Sequence, residues 1–213
     1  MDSQHLIVAA MHEAYRAHDL PAPRRERLLS IVGLSLNEAF LDLGEGAAGY
    51  PVAGLVDRYR EAHATFRQAQ THVEPLFPGA TETIAALAGR ADVVLGIATG
   101  KSRRGVDGVL ARHDLRRHFR SIKTADDAPS KPHPAMVIAA MREVGAAPGD
   151  TFVVGDTAFD IKMARAAGAT GIGVAWGYHP AEALRAAGAA AVIERYAALV
   201  PLLERMWAVP APA

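Results

Sequence analysis

Apolar residues recur every three to four positions through the first part of the chain, which is the spacing that buries one face of a helix. The pattern predicts four helices, over residues 7–18, 24–32, 36–43 and 52–69, and Ser3 is a candidate N-cap for the first. Two prolines and a glycine within residues 74–79 indicate a domain boundary. We therefore expect a helical domain over residues 1–74 and a second domain over residues 75–213.

Past this boundary, short apolar runs alternate with helical stretches. The runs predict strands over residues 92–98, 120–124, 151–154, 170–175 and 190–193. Helices are predicted over residues 80–89, 103–113, 134–144, 158–167, 181–187 and 197–207, and a loose tail over residues 210–212. Such alternation is typical of an α/β fold with a doubly wound parallel sheet. Ligands of these sheets bind outside the carboxyl ends of the strands, so we expect the functional site there.

Composition and charge give no global attraction to a polyanion. The 213 residues include 23 Lys and Arg against 23 Asp and Glu, so the formal net charge is zero, which does not favour nucleic acid or an anionic membrane as a partner. There is no cysteine, which excludes disulfides, thiolate metal ligands and a cysteine nucleophile. No leader or membrane-spanning pattern is evident, so a cytoplasmic protein is expected.

Two carboxylates follow the predicted strand 151–154 at once. Asp156 comes at its carboxyl end, and Asp160 lies one helical turn later on the same side. Hard oxygen donors in this arrangement suit Mg²⁺, which is commonly held by one or two carboxylates with phosphate and water. The alternative is structural: Asp156 as an N-cap and Asp160 as a first-turn partner of the helix dipole.

Two further strand ends offer groups that suit an anion. Thr99 and Gly100 precede a predicted helix, where a hydroxyl, close backbone approach and free N–H groups could bind phosphate, or where Thr99 or Ser102 could simply cap the helix. Lys131 stands in a loop between prolines, either facing an anion or merely solvated. A nucleotide-binding P-loop ending in Gly100-Lys-Ser102 is disfavoured, because its first glycine would have to be Leu95. His133 and His179 lie near the same rim.

Thr99 after an apolar strand, Lys131-Pro-His-Pro134 and Gly155-Asp-Thr-Ala-Phe-Asp160 together resemble motifs two to four of the haloacid dehalogenase superfamily. The helical N-terminal part is similar to the cap of its phosphoglycolate phosphatase-like branch. The resemblance implies a Mg²⁺-dependent phosphomonoesterase, acting on a small-molecule phosphate ester, that passes through a phosphoaspartate. It implies that Thr99, Gly100 and Lys131 bind the phosphoryl oxygens, that Asp156 ligates the metal, and that Asp160 either ligates the metal or supports its ligands from behind.

The first motif of that superfamily, Asp-x-Asp-Gly-Thr, supplies the nucleophile and the general acid/base, and this sequence does not contain it. Asp2-Ser3 looks like the end of its usual continuation, Asp-Gly-Thr-Leu-Val-Asp-Ser, as though a truncated chain began just after the catalytic strand. By resemblance, that strand lies at the centre of the sheet, so its neighbours would have open edges. This polypeptide alone is therefore predicted to be inactive and to fold poorly or associate.

Three interpretations of function remain open at the sequence level. The leading one is a phosphatase acting on a phosphoglycolate-like substrate. A phosphomutase or a dehalogenase on the same scaffold is the second, although a dehalogenase would not need the paired Asp156 and Asp160 for a metal. The third is a non-catalytic protein that binds phosphate or Mg²⁺ and acts through interactions. The sequence does not define an oligomeric state.

Overall fold

The computed structural model describes residues 1–69 and 74–207. Contacts divide the chain into two compact units, Met1–Phe77 and Pro78–Ala213. The predicted tail, residues 210–212, lies outside the described residues. None of the helices in the described ranges is long and apolar enough to cross a membrane.

The first unit consists of helices α1 (Gln4–Arg16), α2 (Arg25–Ser30), α3 (Leu36–Leu43) and α4 (Val52–Gln68), close to the predicted spans. Their apolar faces bury one cluster that includes Met11, Leu28, Phe40 and Leu55. Ser3 occupies the N-cap position of α1, as predicted, but it makes no side-chain cap hydrogen bond. Its hydroxyl instead donates to the buried carboxylate of Glu74, 2.6 Å away, and so ties the start of the unit to its end.

The second unit alternates helices and strands, as its sequence pattern predicts. Its strands are β1 (Leu95–Ala98), β2 (Phe119–Lys123), β3 (Phe152–Gly155), β4 (Thr170–Val174) and β5 (Ala191–Ile193). Its helices are α5 (Ala80–Ala88), α6 (Arg103–Arg112), α7 (Ala135–Val144), α8 (Ala158–Ala166), α9 (Ala181–Ala186) and α10 (Leu199–Trp207). The largest difference from the prediction is at β1, which begins three residues later than expected.

All strand pairs are parallel, which confirms the α/β class, but the strands form two sheets instead of the single sheet expected. β1 pairs with β2, and β3, β4 and β5 pair in that order. Among the described residues, neither β1 nor β3 pairs with another strand along its second edge. Each therefore presents backbone donors and acceptors that no strand satisfies.

Shared helix layers hold the two sheets together. On one face, Leu95 of β1 and Phe152 of β3 pack against a cluster supplied largely by α5 and α10. On the other face, Ala98 of β1 and Val153 of β3 pack against α7 and α8. Because alternate residues of a strand point to opposite faces, both sheets are covered on both sides, as in a doubly wound fold. Both layers of packed side chains thus extend from β1 to β3, although these two strands do not pair with each other.

Candidate active site

The turn from β3 into α8 carries both candidate aspartates. Thr157, not Asp156, is the N-cap residue of α8. Its hydroxyl accepts a hydrogen bond from the Asp160 N–H, and the Asp160 carboxylate accepts one from the Thr157 N–H, at 3.2 Å and 3.1 Å. This reciprocal capping box satisfies two backbone donors at the helix start. Asp160 therefore has the structural role that the sequence left open, whereas Asp156 is not a cap.

Lys131 forms a buried ion pair with Asp160. Its Nζ lies 2.5 Å from Asp160 Oδ1, and both residues are less than a tenth exposed. Asp160 Oδ2 accepts from the Thr157 hydroxyl at 2.7 Å, so each carboxylate oxygen has a donor. Burial works against the charge of Asp160, but the charge and hydrogen bond of Lys131 and the donors of Thr157 outweigh it and hold its pKa below the ordinary value. Lys131 is thus a buried, paired cation, not a solvated loop lysine.

Asp156 is in the opposite electrostatic situation. Burial, and then the negative charge of Asp160, raise its pKa to about 6, while the charge of Lys131 acts in the other direction. Its ionised form is therefore destabilised near neutral pH and would be favoured by a nearby cation. Neither Lys131 nor Thr157 hydrogen-bonds to its side chain, so it is the carboxylate of this cluster that suits a metal ion.

The segment after β4 lies against Asp156, which the sequence pattern did not predict. Gly177 approaches so closely that a Cβ on it would overlap the Asp156 side chain. The His179 backbone N–H donates to the Asp156 carbonyl at 3.0 Å. His179 Nδ1 accepts from the Ala158 N–H at 3.1 Å. The location of His179 near the rim was predictable from its position after a strand, but its contact with the β3–α8 turn depends on tertiary structure.

Thr99 and Gly100 follow β1 at its carboxyl end, as predicted. The Thr99 N–H donates to the Lys123 carbonyl at 3.0 Å, and its hydroxyl accepts from the Lys101 N–H at 3.2 Å. Ser102 is the N-cap of α6 and accepts from the Gly105 N–H. Among the described residues, no hydrogen bond joins Thr99 to the cluster of Lys131, Asp156 and Asp160.

Asp126 and Asp127 stabilise the start of α6. The Asp126 carboxylate accepts from the Arg103 N–H at 2.7 Å. Asp127 accepts from the Thr124 hydroxyl and from the Arg103 guanidinium, at 2.7 Å and 2.9 Å. These donors, with Thr124 first, hold the pKa of Asp127 below its ordinary value. Both carboxylates therefore have structural partners at the helix start.

No group of three or more His, Cys, Asp or Glu side chains within the described ranges could enclose a metal ion. A site for a hard cation here would use one carboxylate, Asp156, with its remaining ligands from elsewhere. Mg²⁺ accepts such a site, because it usually keeps several waters and binds through one or two carboxylates plus substrate phosphate.

Comparison with known proteins decides the family. A sequence model of the family described as haloacid dehalogenase-like hydrolase matches residues 1–174. The chain belongs to this family. It is 32% identical over 205 residues to a Dickeya dadantii protein named as a probable phosphatase, IndB, with 94% of this chain and 87% of that protein covered. It is 29% identical over 199 residues to a phosphoglycolate phosphatase of Pectobacterium atrosepticum, with 92% and 85% covered.

Solved structures support the same fold for this hydrolase family member. A hydrolase from Pseudomonas syringae superposes with a TM-score of 0.78 at 25% identity, covering 95% of this chain and 92% of that one. A haloacid dehalogenase-like family protein from Streptococcus pneumoniae gives a TM-score of 0.79 at 21% identity, with 94% and 91% covered. The second similarity concerns the fold alone.

Proposed function

We propose that this protein is a Mg²⁺-dependent phosphomonoester hydrolase that acts on a small organic phosphate of the phosphoglycolate type. The observation that supports this most is the cluster at the carboxyl end of β3, where the buried Lys131–Asp160 pair lies beside Asp156. A buried cation next to a carboxylate with a raised pKa suits a ligand that combines phosphate with a divalent metal. The names of the relatives from Dickeya and Pectobacterium point to the same reaction class.

Each group of this cluster has a distinct role in the proposal. Asp156 ligates Mg²⁺, which would supply electrophilic stabilisation of a transferring phosphoryl group. Lys131 and Thr99, with the Gly100 N–H, bind the phosphoryl oxygens. Asp160 supports the site in this proposal: its two oxygens accept hydrogen bonds from Lys131 and Thr157, so it holds Lys131 in place, and these donors keep the pKa of its carboxyl group below the ordinary value. Of the two roles that the resemblance implies for Asp160, metal ligand or support, we propose the second.

No residue of this cluster is assigned as the nucleophile. The sequence contains no Asp-x-Asp-Gly-Thr segment, and the carboxylates of Asp126 and Asp127 accept hydrogen bonds from Arg103 at the start of α6. The 213-residue chain is therefore proposed to bind phosphate and Mg²⁺ without turnover. The helical unit, Met1–Phe77, is proposed to act as the cap that selects the substrate.

The test compares the chain with an N-terminally extended form that carries an apolar strand ending in Asp-x-Asp-Gly-Thr-Leu-Val before Asp2. Hydrolysis of p-nitrophenyl phosphate and of 2-phosphoglycolate is measured with Mg²⁺ and with EDTA. We expect turnover only from the extended form, only with Mg²⁺, and not after Asp156→Asn. Calorimetric titration should detect Mg²⁺ and phosphate binding by both forms.

The outcomes separate the candidate functions. Binding by both forms without turnover by either would favour a non-catalytic protein that binds phosphate and Mg²⁺. Turnover that EDTA leaves intact would contradict the metal assignment. If neither form binds Mg²⁺ or phosphate, the assignment of the binding site is wrong.

A further inference from the structure

The carboxylate of Asp156 stands in the turn between β3 and α8, and its direction depends on what holds that turn. The capping box fixes Thr157 and Asp160, one and four residues further on, but contacts neither the Asp156 side chain nor its carbonyl. A separate element, residues 175–179, makes those contacts. We call residues 175–179 the clasp.

The clasp is anchored at its own start. The Ala175 N–H donates to the Ile193 carbonyl at 3.0 Å and so continues the pairing of β4 with β5. Trp176 packs into the apolar cluster of α5 and α10, and its ring lies 4.7 Å from the ring of Tyr196. Since a large aromatic residue in such a cluster is costly to displace, the backbone that follows begins from a fixed point.

Gly177 then limits the space available to the Asp156 side chain. An added Cβ would overlap Asp156 Cβ, Cγ and Oδ2, so the glycine backbone forms one wall against the carboxylate. Its backbone has no left-handed φ to explain the glycine, since Gly177 is not among the positive-φ residues. The requirement for glycine here comes from close approach to Asp156.

His179 forms hydrogen bonds with the backbone at Asp156 and at Ala158. Its N–H binds the Asp156 carbonyl, and its ring Nδ1 binds the Ala158 N–H at 3.1 Å. An edge contact with Phe159, 5.4 Å between ring centroids, orients the ring. Because a backbone N–H can only donate, Nδ1 is the acceptor, and the neutral ring carries its proton on Nε2.

We propose that Gly177 and His179 are positioning residues for Asp156: the clasp holds this carboxylate in the direction required to bind a divalent cation. The inference rests on the proposed function, since it takes Asp156 as the metal ligand. It assigns to the segment after β4 a specific task, which is to preorganise a ligand that would otherwise have to be ordered on binding. Outer-shell partners of metal ligands typically alter affinity by about 10- to 100-fold when they are removed.

The test measures Mn²⁺ binding to the 213-residue chain by electron paramagnetic resonance, as a spectroscopic substitute for Mg²⁺, with thermal unfolding recorded for each variant. His179→Asn keeps an acceptor at the position of Nδ1, whereas His179→Gln places one at the position of Nε2. We expect His179→Gln to weaken Mn²⁺ binding about tenfold or more and His179→Asn to stay close to wild type.

A glycine pair supplies the second comparison. Gly177→Ala is expected to weaken Mn²⁺ binding at least as much as His179→Gln. Gly149→Ala is the matched control, because a Cβ at Gly149 meets no atom within 4 Å, and it should bind Mn²⁺ as wild type does. If Gly177→Ala does not fold, the two His179 variants still decide the question.

Unchanged Mn²⁺ affinity in His179→Gln and Gly177→Ala, with only a lowered unfolding temperature, would make the clasp merely structural and overturn the proposal. Equal weakening by His179→Asn and His179→Gln would also overturn it, because the position of the acceptor would then not matter. A different result would contradict the proposed function itself: wild type and Asp156→Asn would bind Mn²⁺ equally or not at all. The positioning role of Gly177 and His179 would then be contradicted as well.

Discussion

Asp156 and Asp160 are four residues apart, yet their surroundings give them opposite electrostatic properties. Asp160 has Lys131 and Thr157 as donors, which stabilise its ionised form. Asp156 is partly buried beside the negative charge of Asp160, and both effects raise its pKa to about 6. Within five residues, Asp160 is a carboxylate that binds Lys131, and Asp156 is a carboxylate whose ionised form a nearby cation would stabilise.

The raised pKa of Asp156 predicts how stability changes with pH in the presence of EDTA. An acid whose folded pKa lies above its unfolded value binds more protons when folded, so wild-type stability should fall as pH rises from about 4 to 6. Asp156→Asn cannot ionise at this position, so its free energy of unfolding should not show this decrease. At pH 7 it should exceed that of the wild type by on the order of 2 kcal/mol.

Urea unfolding from pH 4 to 8 measures this difference, with exposed Asp107→Asn as the control that should follow wild type. A stability gap between wild type and Asp156→Asn that does not change with pH would contradict the assignment. Excess Mg²⁺ should narrow the gap at pH 7, because it binds the ionised wild-type carboxylate and not the amide.

Loss of Lys131 should destabilise the fold strongly. Lys131→Met leaves the buried Asp160 without its cation, and breaking a buried pair in this way costs about 3–5 kcal/mol. Lys123→Met is a matched control, since Lys123 and Glu143 form a 2.7 Å pair in which the Glu143 side chain is 45% exposed. That change should cost about 1 kcal/mol or less. Equal losses in urea unfolding would show that burial does not distinguish the two pairs.

At the scale of elements, the start of α8 is the part whose local sequence best explains its structure. Thr157 and Asp160 have the spacing of a capping box, and Gly168, with φ 75°, follows the C-cap Ala167 at the C′ position. The structural alternative for Asp156, an N-cap, is wrong: Thr157 is the cap, and the Thr-x-x-Asp spacing is the local signal that identifies it.

The capping box predicts a specific cost for loss of the Thr157 hydroxyl. Thr157→Ala removes an acceptor for the Asp160 N–H and a donor to its buried carboxylate, so it should lower the free energy of unfolding by about 1–2 kcal/mol. Ser102→Ala at α6 removes a single exposed cap bond of 3.3 Å and should cost less. Thr157→Ser keeps the hydroxyl and should recover most of the loss; if it does not, the methyl group is what matters.

At the scale of the whole molecule, the break between β1 and β3 is the main feature of the second unit. The apolar layers on both faces continue from one strand to the other, so side-chain contacts, not strand pairing between β1 and β3, join the two sheets. Val94, which precedes β1, and Val154 of β3 are 56% and 39% exposed. Open strand edges with exposed valines are the surfaces on which β proteins associate.

We therefore expect the 213-residue chain to self-associate, and the edge valines to contribute to this. Light scattering as a function of concentration should show higher association for wild type than for Val94→Lys or Val154→Lys, because charge on an edge disfavours strand pairing. Leu41→Lys is the control, since Leu41 is 53% exposed and belongs to helix α3, not to a strand. A wild-type chain that stays monomeric at every concentration would contradict this expectation.

The sequence by itself determined the helices, the strands, the parallel α/β class and the strand ends that carry the candidate site residues, because hydrophobic periodicity and turn residues are local properties of the chain. Tertiary structure decided what each site residue contacts. The pairing of Lys131 with Asp160 spans 29 positions, and His179 reaches Ala158 across 21, so neither follows from local spacing. The division into two sheets also depends on tertiary structure, because the pattern of buried residues in a strand does not specify which strands pair with it.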